Sequence, residues 1–313
     1  MNAVPRLALL IVLLVSAVAL ISSLYVKGAS TPLKSSLAPA FQLLGHSTKA
    51  VDSLITRVIP VDALDEAALG QVIAAGYERT ADKTDADFLY LNDLVQNQAR
   101  FLKKPFSYHV YLIDRAEPNA MALPGGVILV TKGLLRIMGS EAELLSVLAH
   151  ELGHVELNHC LDAVKFQLLA RRIGHGTYGK IADVAVVLLL RHSFSKTMED
   201  QADEYAYALM VESPYDPRGV GSAFSQLLQY ENKPIGPKDT RANLFRDYFM
   251  SHPPLALRRE KFKERADAWW RAHPQEHRFV GRNNLAKRKS FYTDSSDTTE
   301  WVQGGEPTNA QHL

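Results

Sequence analysis

Two histidines and a glutamate stand close together near the middle of this 313-residue chain. They are His150, Glu151 and His154, in the pattern H-E-x-x-H. Residues four apart on an α-helix lie about 40° apart around its axis, so both histidines project from one face and can bind a single metal ion. Glu151, offset by about 100°, can reach a water on that ion without ligating it, as a general base must. The spacing predicts one zinc ion per chain.

The helix that carries this motif has a clear beginning in the sequence. Ser140 followed by Glu143 is typical of a capping box, in which each side chain satisfies a free backbone N–H of the first turn. Apolar residues between 144 and 148 supply a face to be buried just before the first histidine. We therefore expect the histidines to lie on a rigid, buried helix.

The third ligand decides the class of such a site. A metzincin needs glycine three and histidine six residues after the second histidine, but Leu157 and Cys160 occupy those positions, so that class is excluded. His159 would lie about 140° from His154 on a continuous helix, so we do not expect it to bind the same ion. The remaining common solution is a glutamate from a second helix.

A second helix rich in acidic residues is predicted at 194–210. Glu199 and Asp203 stand four apart on one face of it, so one could ligate the metal while the other orients a histidine. The alternative is a solvated acidic face. From spacing alone both interpretations stay open.

Other patterns predict the elements around these two helices. Helices are expected at 62–78, 85–101 and 181–190, and strands at 108–113 and 127–130, on either side of a loop at 114–124. The fold class is therefore α+β, mainly helical, with a small β-sheet beside the metal helix. A strand at the edge of that sheet could pair with an extended peptide main chain.

Composition limits the function further. A net charge of +1 and 22 % charged residues argue against nucleic acid as a partner. Residues 7–26 carry no charge and match the thickness of a bilayer, which predicts a membrane helix. The same stretch also fits a cleavable signal peptide. We divide the chain into a signal anchor or signal peptide (1–27), a linker (28–60), a domain that carries the zinc site (61–275) and a polar, disordered tail (276–313).

Five motifs carry a resemblance to a known family. The chain resembles the membrane-associated zinc metalloendopeptidases grouped with the CAAX prenyl proteases and the HtpX heat-shock protease, although Lys196 stands where arginine is common. It lacks the four spans of HtpX and the tetratricopeptide repeats of some relatives. The motifs are N-A-M-A-L-P-G-G-V-I-L-V-T-K-G-L-L (119–135), H-E-L-G-H (150–154), F-S-K-T-M-E-D-Q-A-D (194–203), Y-D-P-R-G (215–219) and S-H-P-P-L-A-L-R (251–258).

The resemblance implies a gluzincin-type domain and roles for individual residues. It places the third zinc ligand at Glu199 and a supporting aspartate at Asp203. The strand after L-P-G-G should border the cleft, so that the segment 119–130, with Asn119, Gly125 and Gly126, helps to hold substrate. The family's H-P-x-x-x-x-R falls on His252 and Arg258. His252 is expected to donate to the oxyanion or to gate the open zinc position, unless it belongs to a plain turn before a helix.

These patterns lead to one expected function and one alternative. We expect a zinc metalloendopeptidase that cleaves unfolded or misassembled envelope proteins, with Glu151 as its base. It would be anchored in the inner membrane with its catalytic domain in the periplasm, or secreted there if the N-terminal segment is cleaved. The alternative is a zinc-stabilised chaperone or adaptor that binds unfolded chains without cutting them. The sequence indicates no oligomeric state.

Overall fold

Helices dominate the computed structural model of the chain, which describes residues 63–173, 178–189, 194–231 and 255–304. The predicted α+β, mainly helical class is confirmed. The helices are α1 (Ala63–Glu78), α2 (Ala86–Gln96), α3 (Lys132–Ile137), α4 (Glu141–Glu156), α5 (His159–Ile173), α6 (Tyr178–Leu189), α7 (Lys196–Glu212), α8 (Gly219–Glu231), α9 (Leu255–Ala272) and α10 (Arg282–Lys287). The strands are β1 (His109–Ile113), β2 (Ala120–Leu123), β3 (Val127–Thr131), β4 (His277–Phe279) and β5 (Trp301–Gln303).

The larger sheet has one strand more than the sequence predicted. Its order is β1-β3-β2, with β1 and β3 parallel and β2 antiparallel to β3. Strand β2 lies inside the stretch that was expected to be a loop, because a tight turn folds it back onto β3. Gly125 and Gly126 in that turn have φ of 75° and 86°, which glycine adopts at little cost. The turn makes β2 an edge strand next to α4.

Helix α4 forms as the sequence predicted and lies at the centre of the fold. The Ser140 side chain accepts from the N–H of Glu143 at 3.2 Å, and the Glu143 carboxylate accepts from the N–H of Gly139 at 2.6 Å. Helix α7 crosses α4 closely at Gly153, where a Cβ atom would come within 3.2 Å of Ala202. Glycine at this position lets the two helices approach beside the histidines.

The C-terminal region is folded as far as residue 304, which corrects the expectation of a disordered tail from residue 276. Strands β4 and β5 pair with each other, and the chain after β4 covers the beginning of α4. Carbonyl oxygens of Val280 and Gly281 accept from the N–H groups of Ala142 and Glu141, both at 3.1 Å. Free N–H groups in the first turn of a helix need such partners. The composition of residues 276–313 could not predict this contact, because backbone groups and not side chains make it.

Glu141 joins this region to the core as a fully buried carboxylate. Its oxygens accept from the hydroxyls of Tyr90 at 2.8 Å and Tyr215 at 2.5 Å, and from the N–H of Phe291 at 2.7 Å. Burial raises the pKa of Glu141 to about 7 and outweighs these hydrogen bonds, which lower it. The folded protein therefore holds a proton on this group at a pH where the unfolded chain has lost it.

We expect the stability contributed by Glu141 to fall as the pH rises. It is fully present below the ordinary pKa of 4.5 and is lost as the pH passes through about 7. Between pH 5 and 8, the unfolding free energy of the wild type should drop by about 2 to 3 kcal/mol relative to that of Glu141→Gln. Urea unfolding of both proteins at both pH values measures this, and a difference that does not change with pH would contradict it.

Helix α6 has one buried face and one exposed apolar face. Ile181, Ala185 and Leu189 are buried, whereas Val184 and Val187 are about half exposed. Within the described ranges, no helix is both long enough and apolar enough to cross a bilayer. The apolar stretch 7–26 lies outside those ranges, so the membrane helix stays a prediction.

Candidate metal centre and active site

The structure brings together the two histidines of α4 and one glutamate of α7. The Nε2 atoms of His150 and His154 lie 3.1 Å apart, and each lies 3.5 Å from a carboxylate oxygen of Glu199. Donors at about 2.0 to 2.1 Å from a tetrahedral zinc ion are about 3.3 to 3.4 Å from one another. All three residues are buried. The donor set and its spacing therefore fit zinc.

His150 is oriented by a buried ion pair. Its Nδ1 lies 2.9 Å from Oδ1 of Asp203, and Arg258 on α9 donates to both oxygens of the same carboxylate, at 2.8 and 2.5 Å. The proton of neutral His150 is thus held on Nδ1, which leaves the Nε2 lone pair directed towards Glu199. Two histidine lone pairs at 3.1 Å are a poor hydrogen bond but a good pair of metal ligands.

The carboxylates around His150 make this a site for positive charge. Burial alone would lower the pKa of His150, but Asp203 and Glu199 outweigh it and raise the pKa to about 9. Burial would also raise the pKa of Asp203, yet His150 and Arg258 hold it below its usual range. A divalent cation between the ligands satisfies the same electrostatic preference as a protonated histidine.

Glu151 lies beside the ligands and is tied to the edge of the sheet. It is 2 % exposed, and its Oε2 accepts from the N–H of Ala122 on β2 at 2.7 Å. Hydrogen-bonded and free positions alternate along an antiparallel strand pair. The backbone carbonyl of Asn119 accepts from the N–H of Thr131 on β3, so Asn119 is at a hydrogen-bonded position. The backbone groups of Ala120 and Ala122 therefore point away from β3. The candidate metal site therefore lies next to the edge strand β2, whose four residues are buried.

Comparison with known proteins assigns the family. A sequence model of peptidase family M48 matches residues 85–266, which is more than half of the chain. The chain belongs to peptidase family M48. The matched range contains the three ligand residues together with Glu151, and this bears out the resemblance in the sequence motifs.

Several named proteins are similar to this M48 chain. Mitochondrial metalloendopeptidase OMA1 of Arabidopsis thaliana is 28 % identical over 151 residues, which cover 47 % of this chain and 29 % of that protein. Metalloprotease LoiP of Escherichia coli is 27 % identical over 175 residues, which cover 53 % of this chain and 64 % of that protein. The beta-barrel assembly-enhancing protease of Escherichia coli is 24 % identical over 274 residues, which cover 72 % of this chain and 56 % of that protein. The matches span less than two thirds of each of these relatives.

Sequence reasoning missed two contacts around His154 in this M48 domain. The ring of Phe194 stacks on that of His154, with 4.0 Å between centroids, and Nδ1 of His159 lies 3.0 Å from Nδ1 of His154. The prediction for His159 assumed a continuous helix, but α4 ends at Glu156 and Asn158 has a φ of 66°. The chain turns there, and α5 starts with His159 folded back onto His154. An asparagine after the last helical turn was the signal for this turn.

The remaining predicted site residues are placed as follows. The side-chain oxygen and nitrogen of Asn119 are buried and make no hydrogen bond within the part of the chain that the structure describes. Gly125 and Gly126 form the turn after β2, and Gly125 packs against Gly70 of α1. Neither glycine lines the pocket at His150, and their role in holding substrate stays a prediction. His252 lies outside the described residues, so its role stays a prediction as well.

An apolar pocket opens beside the candidate metal ligands of this M48 chain. His150, Glu151 and Ala120 are among the residues that line it, so it adjoins both the candidate base and β2. Its other walls come from α4, α7, α8 and the start of α9, and they include the paired ions Asp203 and Arg258. The apolar side chains of those walls are Val147, Ala206, Val220, Ala223, Phe224, Leu227 and Leu255.

Proposed function

We propose that this chain is a zinc-dependent metalloendopeptidase. The observation that carries the proposal is the spacing of the His150, His154 and Glu199 donors, which fits a tetrahedral ion with one position left for water. A bound zinc ion supplies a Lewis acid that acidifies water and polarises a carbonyl oxygen. Membership of a peptidase family and the names of the relatives support the same reaction.

Glu151 would be the general base. In the proposed reaction its carboxylate takes a proton from the attacking water and later gives it to the leaving amine. The Ala122 N–H holds this carboxylate at 2.7 Å and fixes its direction. A site that only stabilised structure would have no use for such a base. Glu151 therefore favours the peptidase over the zinc-stabilised chaperone or adaptor.

The edge of β2 would hold the main chain of the substrate. Ala120 directs its backbone groups, and Ala122 its carbonyl, away from β3, while the N–H of Ala122 is taken by Glu151. An extended peptide can pair with these remaining groups without regard to its sequence. The amide of Asn119 lies at the start of this strand and could bond to the same peptide. This mode of binding suits unfolded segments, because a folded protein rarely offers a free strand.

The apolar pocket would select the side chain next to the scissile bond. It lies against His150 and Glu151, and most of its lining is aliphatic or aromatic. An apolar side chain gains about 25 cal/mol for each Å² removed from water. A charged side chain would lose its water at a lining whose own ions, Asp203 and Arg258, are already paired with each other. We therefore propose that substrates are cut beside apolar residues, which unfolded proteins expose.

Ala223→Leu should narrow this pocket and change the preference of the enzyme. We expect kcat/KM for peptides with phenylalanine at the cleavage site to fall about 10- to 200-fold relative to peptides with alanine there. Cleavage of paired fluorogenic peptides measures the ratio. Gln229→Leu is the matched control, because Gln229 is exposed on the same helix and does not line the pocket. An unchanged ratio in Ala223→Leu would place the selective pocket elsewhere.

We further propose that the enzyme acts on misfolded envelope proteins. Residues 7–26 would anchor it in the inner membrane, with the catalytic domain in the periplasm, or would be removed to release it there. The name of the beta-barrel assembly-enhancing protease supports an envelope role by analogy.

His252 would act close to the reaction, as an oxyanion donor or as a gate. Its replacement by alanine would lower kcat in the first case and raise basal proteolysis in the second.

Cleavage of an unfolded protein with and without chelator tests the main proposal. Reduced casein should be cut internally by the full chain, activity should stop with 1,10-phenanthroline, and added zinc should restore it. Mass spectrometry of the products shows whether cuts fall beside apolar residues. Zinc bound at one per chain without any cleavage of casein or peptides would overturn the peptidase and favour the chaperone.

A further inference from the structure

His154 and His150 have different partners behind their rings. His150 has the carboxylate of Asp203 at its Nδ1, at 2.9 Å. His154 has the imidazole of His159 there, with 3.0 Å between the two Nδ1 atoms. His159 is 3 % exposed, and its other ring nitrogen lies 3.2 Å from Oε1 of Gln201 on α7. The two ligands are thus supported by different chemistry.

The positions of the protons on His154 and His159 follow from the ligand role of His154. A histidine that binds metal through Nε2 carries its proton on Nδ1. The Nδ1–H of His154 must then donate to His159, whose own Nδ1 accepts. An imidazole that accepts at Nδ1 and stays neutral carries its proton on Nε2. That proton meets the side-chain oxygen of Gln201, so all three groups have compatible roles.

We propose that His159 is a positioning residue that fixes the tautomer and the ring direction of His154. The proposal rests on the metal site of the proposed function and deepens it. In this arrangement His159 accepts from the Nδ1–H of His154 and donates its own proton to the side-chain oxygen of Gln201. Phe194 covers the face of the His154 ring, at 4.0 Å between centroids, and prevents it from tilting away. His159 does not itself touch the metal or the substrate.

Two variants of His159 separate positioning from simple packing. The amide oxygen of asparagine stands where Nδ1 stood, so His159→Asn keeps the acceptor for His154. The amide of glutamine reaches the place of Nε2, so His159→Gln fills more space and keeps the contact with Gln201 but loses that acceptor. Positioning predicts that the glutamine variant is the more damaged. Packing predicts that asparagine is, since it leaves the larger cavity.

The measurement is the dissociation constant for zinc, obtained by competition with a chromogenic chelator on the full chain. His159→Gln should bind zinc about 10- to 100-fold more weakly than the wild type, as expected for a residue behind a metal ligand. His159→Asn should stay within a few-fold of the wild type. His277→Gln, at an exposed histidine on β4, is the control and should have no effect.

Thermal unfolding of the zinc-free proteins shows whether a weaker affinity reflects a damaged fold. Equal losses of affinity in both variants, a larger loss in His159→Asn, or no loss in His159→Gln would overturn the proposal. Zinc binding is measured without any substrate. A chain that binds zinc in the expected order but cleaves nothing would therefore support the role of His159 and refute the peptidase, so the two failures are distinguishable.

Discussion

Glu151→Gln is expected to lower kcat for peptide hydrolysis by about 10²- to 10⁴-fold while zinc stays bound. Glutamine has the size of glutamate but cannot take a proton from water. The N–H of Ala122, which donates to Glu151 at 2.7 Å, can donate equally to an amide oxygen, so the side chain should keep its place. The loss should appear in kcat, because the residue acts on the reacting water and not on the bound peptide.

Peptide kinetics beside zinc content measure this effect. The purified variant should contain the same amount of zinc as the wild type and unfold at a similar temperature. It should also still bind casein, which can be followed by crosslinking or by light scattering. Turnover like that of the wild type would show that another group is the base. Loss of zinc together with activity would place Glu151 among the ligands instead.

Glu199→Gln is expected to weaken zinc binding by more than about 100-fold, beyond the 10- to 100-fold typical of changes behind the ligands. The variant loses the anionic donor of the site, whose oxygens lie 3.5 Å from both histidines. Asp203→Asn should have the milder effect. Its amide can be oriented to accept from His150, but it no longer carries the charge that pairs with Arg258.

The order of affinities is the test of this ligand assignment. Chelator competition should rank the wild type first, Asp203→Asn second and Glu199→Gln last. Glu204→Gln is a matched control on the same helix, because Glu204 is exposed and forms ion pairs with Arg265 and Lys261. The assignment would be wrong if Glu204→Gln lost zinc or if Glu199→Gln bound it normally.

The sequence determined the local parts of this site. Its pattern H-E-x-x-H, a capping signal at Ser140 and the apolar residues that follow were enough to predict α4 and the direction of both histidines. These features act within one helix, where hydrogen bonds and side-chain neighbours are three or four residues apart. The pairing of Glu199 with Asp203 was visible as a spacing, and the choice between them came from the family resemblance.

Only the tertiary structure decided which distant groups meet. Gly153 lets α7 approach α4, so that Glu199 faces both histidines across 3.5 Å. The turn at Gly125 makes β2 an edge strand, although four residues of mixed size carried too weak a pattern to predict it. His159 reaches His154 because Asn158 ends the helical path on which the prediction was based. In each case a backbone turn or a close contact between two helices sets the distance. The sequence spacing of the residues that meet there does not reveal such a turn or contact.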